Sequence, residues 1–329
     1  TVTRPTPAMR QAMNNAIVGD DVFGEDPTVN KLEEYAAQET GKEAAIFVTS
    51  GTQSNLLGIM SQCDRGDEYI CGADAHTYKY EAGGAAVLGS VQPQALNFLE
   101  DGTLDLDCIR ESIKPDDFHF ARTRLVCLEN TNSGRVLPLS YISEVKKLCE
   151  EYDIACHLDG ARAFNASVKL GIPISKIAEL VDTISICLSK GLGAPIGSVL
   201  CGPQNIIDKA RRIRKMLGGG MRQAGIIAAG GLFALKNNVA RLSTDHDNAT
   251  LLATGLSRHE TLKIDLSNVD TNMIFLNIDV NTARDLATYL EDRGVRISAD
   301  SPIRLVTHMD VAPKDINQVL NYFDDYFSN

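Results

Sequence analysis

The segment Ser185-Ile-Cys-Leu-Ser-Lys-Gly-Leu-Gly-Ala-Pro-Ile-Gly-Ser198 decides the fold. With Ile184 ahead of it, the run to Leu188 has the short apolar character of a buried strand. It delivers Lys190 into a loop holding Gly191, Gly193 and Gly197. Lysine is among the residues least often buried, so one set between a core strand and a tight glycine turn needs a chemical reason. Partial desolvation lowers an ammonium's pKa and frees a neutral amine that can attack a carbonyl. Glycines let the backbone close around whatever that amine holds. A solvent-facing lysine at a strand end is the competing reading, and the rest of the chain decides between them.

Outward from this loop, strands and helices alternate. Ala44–Val48 is a buried-strand run, followed by Thr49-Ser-Gly-Thr-Gln-Ser-Asn55 and a helix carrying Leu56, Leu57, Ile59 and Met60. A strand, a small-residue turn and a helix start make an anion site, because the first amides are unpaired and the dipole is positive there. Gly51 and Thr52 supply those amides, although a capped helix without a ligand reads the same way. Tyr69-Ile-Cys-Gly72 is a second strand, leading to His76, Tyr78, Lys79 and Tyr80 at its carboxyl end, where open α/β sheets bind ligands. Helices are expected over 8–16, 28–41, 104–113 and 139–152, and a strand over 124–128. His119 lies between Phe118 and Phe120, so a packed role competes with a catalytic one. The strand Ile154–Leu158 ends in Asp159-Gly-Ala-Arg162. A carboxylate there is costly without a cationic partner, which a protonated pyridine nitrogen or Arg162 would each provide.

This strand-helix repetition is that of a mostly parallel sheet with helices on both faces, with Val199–Cys201 returning antiparallel. The acidic loop Val18–Pro27 is long and turn-rich, which suits lining a site or an interface as well as a solvated surface. Asn205–Met216 is a basic helix, and Gly218-Gly-Gly-Met-Arg222 separates it from an apolar helix over 224–235. Beyond about residue 238 the texture shifts. A long helix to Leu256 precedes strands at 273–278, 295–297 and 303–306, with helices at 283–293 and 314–326. This reads as a large domain over 1–238 and a smaller α+β domain over 239–329, with Arg304 pointing off one face of the small sheet.

With 44% hydrophobic and 23% charged residues in 329, there is ample material for a core. A net charge of −11 argues against a nucleic-acid binder, yet a helix start or single arginines can still hold an anion. The eight cysteines include no C-x-x-C pair or zinc-type spacing, so no metal site is expected. Free thiols suit a reducing cytoplasm, and no apolar run approaches a membrane span. No signal peptide is expected, and the chain opens on Thr1-Val-Thr.

In chain order, the strand ends carry a phosphate-type turn (Gly51, Thr52), His76, Asp159 and Lys190. That set matches what pyridoxal phosphate requires: anion site, stacking ring, carboxylate for the ring nitrogen and lysine for the aldehyde. The chain resembles the low-specificity L-threonine aldolases of the fold-type-I, aspartate-aminotransferase-like group. The resemblance runs through Val18–Val29, Ser50–Asn55, Ala75-His76, Glu81–Gly84, Leu128–Thr131, His157–Arg162, Ile186–Pro195, Arg214–Gln223 and Arg304–His308.

The resemblance implies an α/β fold with a mostly parallel seven-stranded sheet flanked by helices, plus the smaller C-terminal domain. It implies that Lys190 bonds the cofactor, Asp159 pairs with its ring nitrogen and His76 stacks on the ring. Gly51, Thr52 and Ser189 would take the phosphate, and Arg162 and Arg304 the substrate carboxylate. His119 and His76 would lie near the substrate hydroxyl, and Tyr80 and Lys215 on the aldehyde side. Arg222 would come from a neighbouring subunit of a homotetramer built as a dimer of dimers. Two departures stand out. The Arg-Ser-Asp that relatives carry ahead of Thr-Val-Thr, whose Ser helps bind the carboxylate, is absent from this numbering. The usual Asn-Thr-His is Asn-Thr-Asn, ending at Asn132. The implied reaction is retro-aldol cleavage of L-threonine, L-allo-threonine and other L-3-hydroxy amino acids to glycine and an aldehyde. A β-eliminating lyase or an aminotransferase of the same fold remains the alternative.

Overall fold

The computed structural model describes residues 1–328. Nine strands form: β1 Ala44–Val48, β2 Glu68–Gly72, β3 Gln92–Leu96, β4 Thr123–Glu129, β5 Ala155–Asp159, β6 Thr183–Cys187, β7 Ser198–Gly202, β8 Met273–Leu276 and β9 Ile303–Val306. The first seven make one sheet in the order β1-β7-β6-β5-β4-β2-β3. Only β7 runs antiparallel to its neighbours, and the remaining pairs are parallel. Every residue of β2, β6 and β7 is buried, which explains why these strands read as continuous apolar runs rather than alternating ones.

Local chemistry sets the helices. Ser50 caps Gly51–Gln62 through the Gln53 amide, Asp105 caps Leu106–Ser112, and Asp279 caps Val280–Glu291. Asp26 caps Pro27–Thr40 and also accepts from the Gly225 amide at 2.9 Å, joining two helix starts. The Val18–Pro27 loop therefore has structural work. Its Asp21 is buried against Arg214 of the helix Gln204–Met216 at 2.8 Å, and Arg214 also donates to the Phe47 carbonyl. Breaking such a buried pair by removing one partner costs about 3–5 kcal/mol.

Two sequence readings fail. Val295–Ile297 forms no strand; β8 and β9 pair only with each other, and Val295 and Ile297 pack their side chains on the small apolar core. Conversely, β3 escapes notice because Gln92-Pro-Gln-Ala-Leu96 is polar and carries a proline, both tolerated on an edge strand. The Leu104–Ile113 helix begins two residues later, at Leu106, since Leu104 bridges back to Phe98. One large apolar cluster and two smaller ones cover the seven-stranded sheet, and another gathers around β8 and β9 with Leu252, Leu256, Leu286 and Phe323.

Candidate active site

The carboxyl ends of the parallel strands bring one set of polar groups together. In the ladder, Glu129 of β4 sits opposite Asp159 of β5. Asp159 is 2% exposed, and its carboxylate accepts from the Ala161 amide at 3.0 Å and from Asn55 Nδ2 at 2.8 Å. It forms no salt bridge with Arg162 among the described residues, although its charge acts on that guanidinium from farther off. Glu129 accepts from the His76 amide at 2.8 Å, which fixes the turn after β2. Burial and the neighbouring Asp159 charge push the Glu129 carboxyl above its usual range.

His76 is half-buried. Its Nδ1 meets Glu81 Oε1 at 2.8 Å, and the Tyr80 ring lies 5.9 Å away. The Glu81 contact raises the His76 pKa above the ordinary value; burial opposes this, while Asp159 adds to it. Glu81, itself buried, is pushed up by desolvation. Atoms of His76, Glu81 and Asp159 converge within 4.8 Å. The space between the two carboxylates is bridged by the Asn55 amide, whose N–H groups would face any cation there, so the cluster is a hydrogen-bonded one.

Lys190 follows β6 in the glycine loop. It is half-buried, and its charge acts on both His76 and Glu129. Gly197 has φ +105°, and a Cβ there would collide with Phe47. Gly193 has φ +80° and abuts Met309, so the loop touches the segment after β9. Arg162 is half-buried; desolvation of its guanidinium lowers its pKa to about 10, and its buried Nε has no protein partner. Its Nη2 donates to the Thr1 hydroxyl at 3.2 Å, and Thr3 donates to the Lys190 carbonyl at 2.9 Å, so the N-terminal segment runs along this edge. Arg304 on β9 is exposed and close enough to Arg162 for the like charges to interact. At the β1 end, Ser50 takes the Gln53 amide, leaving those of Gly51 and Thr52 to open the helix. The Ser198 hydroxyl, buried without a partner, lies 3.7 Å from where a Gly51 Cβ would be. Ser189 lies beside Cys187, with Oγ and Sγ 3.5 Å apart.

The family model for beta-eliminating lyases matches residues 1–280. The low-specificity L-threonine aldolase of Escherichia coli K12 is 53% identical over 319 residues, covering 97% of this chain and 95% of its own. The chain belongs to the low-specificity L-threonine aldolase family. A probable low-specificity L-threonine aldolase from Arabidopsis thaliana is 46% identical over 99% of this chain and 95% of its own. The solved structure of a Leishmania major threonine aldolase has the same fold, with a TM-score of 0.83 at 19% identity over 98% of this chain and 96% of that one.

Three residues that the aldolase resemblance assigned lie outside the buried cluster. His119 is exposed, with its Nδ1 2.7 Å from Asp117 and its ring 4.0 Å from Phe118, so the packed alternative does not hold. Arg222 is exposed, donating through Nε to Asp20 at 2.7 Å and lying over the Phe23 ring. Lys215 is exposed beside Gly220. Sequence reading gave no role to Glu81, Glu129, Asn55 or His157. Glu81 and Glu129 lie inside the motifs Glu81–Gly84 and Leu128–Thr131, five residues after His76 and at the last position of β4, yet their residue type alone assigned them nothing.

Proposed function

We propose that this aldolase-family protein cleaves L-threonine, L-allo-threonine and other L-3-hydroxy amino acids between Cα and Cβ, giving glycine and an aldehyde with pyridoxal phosphate as cofactor. The observation that carries this reading is the convergence of Lys190, Asp159 and His76 on one edge of the parallel sheet, beside an arginine whose buried Nε lacks a protein partner. These groups fit that cofactor. Lys190 supplies the amine, Asp159 a carboxylate for the ring nitrogen, and His76 a ring to stack. Gly51, Thr52 and Ser189 supply phosphate donors, with the unpartnered Ser198 hydroxyl close by. When bound, the cofactor serves as the electron sink for the broken bond.

The chain's own residues do the remaining work. Arg162 and Arg304 hold the substrate carboxylate, and Arg162 is already desolvated, which strengthens a charge-assisted bond. His76, tied to Glu81, accepts the β-hydroxyl proton at Nε2 and returns a proton at Cα. His119, Tyr80 and Lys215 line the aldehyde side, and Arg222 reaches the site of a neighbouring subunit in a homotetramer. Tyr80, Phe23 and Phe118 are large exposed side chains, which suits coverage by a second chain. We place the division between the cofactor-bearing and small domains at residue 238. Free cysteines throughout the described chain support a reducing, cytoplasmic setting.

Incubation with L-threonine tests the reading. Acetaldehyde, detected through an alcohol dehydrogenase, and glycine are expected in equal amounts. Ammonia or a keto acid instead would assign the protein to β-elimination or transamination.

A further inference from the structure

Beneath the cofactor edge runs a buried line of polar side chains that the reaction itself does not use. Asn55, Gly58 and Gln62 occupy one stripe of the helix Gly51–Gln62, facing His157 of β5 and Thr183 of β6. Asn55 Nδ2 donates to Glu81 Oε1 and to Asp159 Oδ2, both at 2.8 Å, while Asn55 Oδ1 lies 3.2 Å from His157 Nε2. Asn55 is 1% exposed and His157 fully buried.

An amide has two N–H donors, and here both are committed to carboxylates. The reversed amide would set its oxygen against two anions, so the carboxylates fix its direction. With the oxygen facing His157, the imidazole must carry its proton on Nε2, and Nδ1 must accept. Thr183 Oγ1 meets Nδ1 at 2.8 Å and itself accepts from Gln62 Nε2 at 2.8 Å. The donors thus run in one sense, from Gln62 through Thr183 and His157 to Asn55 and then to the two carboxylates. Gly58 makes this possible: a Cβ there would lie 2.6 Å from the His157 ring. Burial holds His157 neutral, with its pKa lowered to about 4, as a ring accepting at Nδ1 requires.

The geometry points to Asn55 and His157 as positioning residues that lock two functional carboxylates together: Glu81, which orients His76, and Asp159, which faces the cofactor's ring nitrogen. The inference rests on the proposed cofactor site. Two buried carboxylates this close repel, and without a donor between them one takes a proton. If Glu81 is protonated, His76 loses its anionic partner; if Asp159 is, the ring nitrogen loses its own. One amide guards against both outcomes, and His157 keeps that amide from turning.

The test uses purified protein and added pyridoxal phosphate. Asn55→Ala is expected to weaken cofactor affinity, read from the absorbance of bound cofactor, by roughly 10- to 100-fold, the scale of the one lost bond to the carboxylate that faces the cofactor, Asp159. It should lower kcat for L-threonine far more than it changes KM. His157→Phe keeps the bulk without the donor and should weaken affinity by about tenfold. His157→Gln, with an N–H for Asn55 and an oxygen for Thr183, should recover most of it. A melting curve of each cofactor-free variant separates folding from positioning. Should Asn55→Ala not fold, the His157 pair decides: rescue by Gln but not Phe supports the coupling, and equal values for the two overturn it. Asn55→Ala with wild-type affinity and kcat overturns it as well. Wild-type protein that bound no cofactor would instead overturn the reading of the site itself.

Discussion

The two halves of the site are held in different ways. The inner half, comprising Asp159, Glu81, Glu129 and His76, is buried or half-buried at strand ends, and its polar atoms are tied to other residues of the same chain. The outer half that we propose, His119, Lys215 and Arg222, is exposed: Lys215 lies in the last turn of the helix Gln204–Met216, while His119 and Arg222 sit on loops beside Asp117 and Asp20. Groups that must keep a charge state around a cofactor need a fixed dielectric and fixed donors, and a folded sheet edge provides both. Groups that admit substrate and release aldehyde need exposure and movement, which loops provide. The inner half should therefore fail through chemistry and acid, and the outer half through salt.

The harshest way to break the inner half is Lys190→Ala. We expect loss of the visible absorbance of bound cofactor and a fall in kcat of at least about a thousandfold, as when a covalent catalytic group is removed. Purified variant that keeps both the absorbance and the turnover would end the assignment of Lys190.

Acid comes next in size. His157 titrates near 6.5 when unfolded and near 4 in the folded protein, because burial disfavours its cation. Its depressed pKa contributes stability that is complete above pH 6.5 and is lost as pH falls toward 4, about 3 kcal/mol across that window. His246, also lowered to about 4 by burial, acts in the same direction. Urea unfolding at pH 7.5 and 4.5 should show the loss, and His157→Gln should remove part of it. Identical pH slopes for the two proteins would mean that His157 is not held neutral.

Glu81→Gln sharpens the contrast without unfolding anything. The Glu81 carboxylate raises the His76 pKa, so neutral His76, the proton acceptor, accumulates only above the ordinary imidazole range. Removing that charge lowers the His76 pKa and should move the rising limb of the kcat/KM profile to lower pH, with a maximum reduced roughly tenfold. A limb that stays in place would take the proton-accepting role away from His76.

How much of this was legible in the sequence follows the same division. Lys190 and Asp159 announce themselves because apolar strand runs lead straight to them and glycines follow. Gly51 and Thr52 are legible for a similar reason, as a strand gives way to a capped helix start. Asn55 and His157 do not stand out: one is a polar residue inside a helix, the other a histidine inside a strand, and only three-dimensional packing makes them meet. Glu81 acquires its meaning from a turn that returns it to His76. The false strand at Val295–Ile297 and the missed β3 show the limit of apolar alternation, since a strand is defined by its ladder partner.

The mildest change addresses the outer half. Arg222, exposed, is positioned by the partly buried Asp20 and by the exposed Phe23 ring. Asp20→Ala also removes the carboxylate that caps the Val22 amide at 3.1 Å, so the melting temperature should fall by about 2 °C, the scale of one lost helix cap. What changes is the direction in which Arg222 points. If Arg222 serves the site of a neighbouring chain, freeing it should raise KM about threefold, the scale of one exposed ion pair, with kcat little altered. Salt should mimic the substitution: the wild-type KM should climb toward that of the variant as ionic strength rises, because the Asp20–Arg222 pair is open to screening. A variant whose KM matches wild type at low salt would show that Arg222 needs no help from Asp20. The acidic loop would then matter through Asp21 and Asp26 alone, which anchor it to the core rather than to the site.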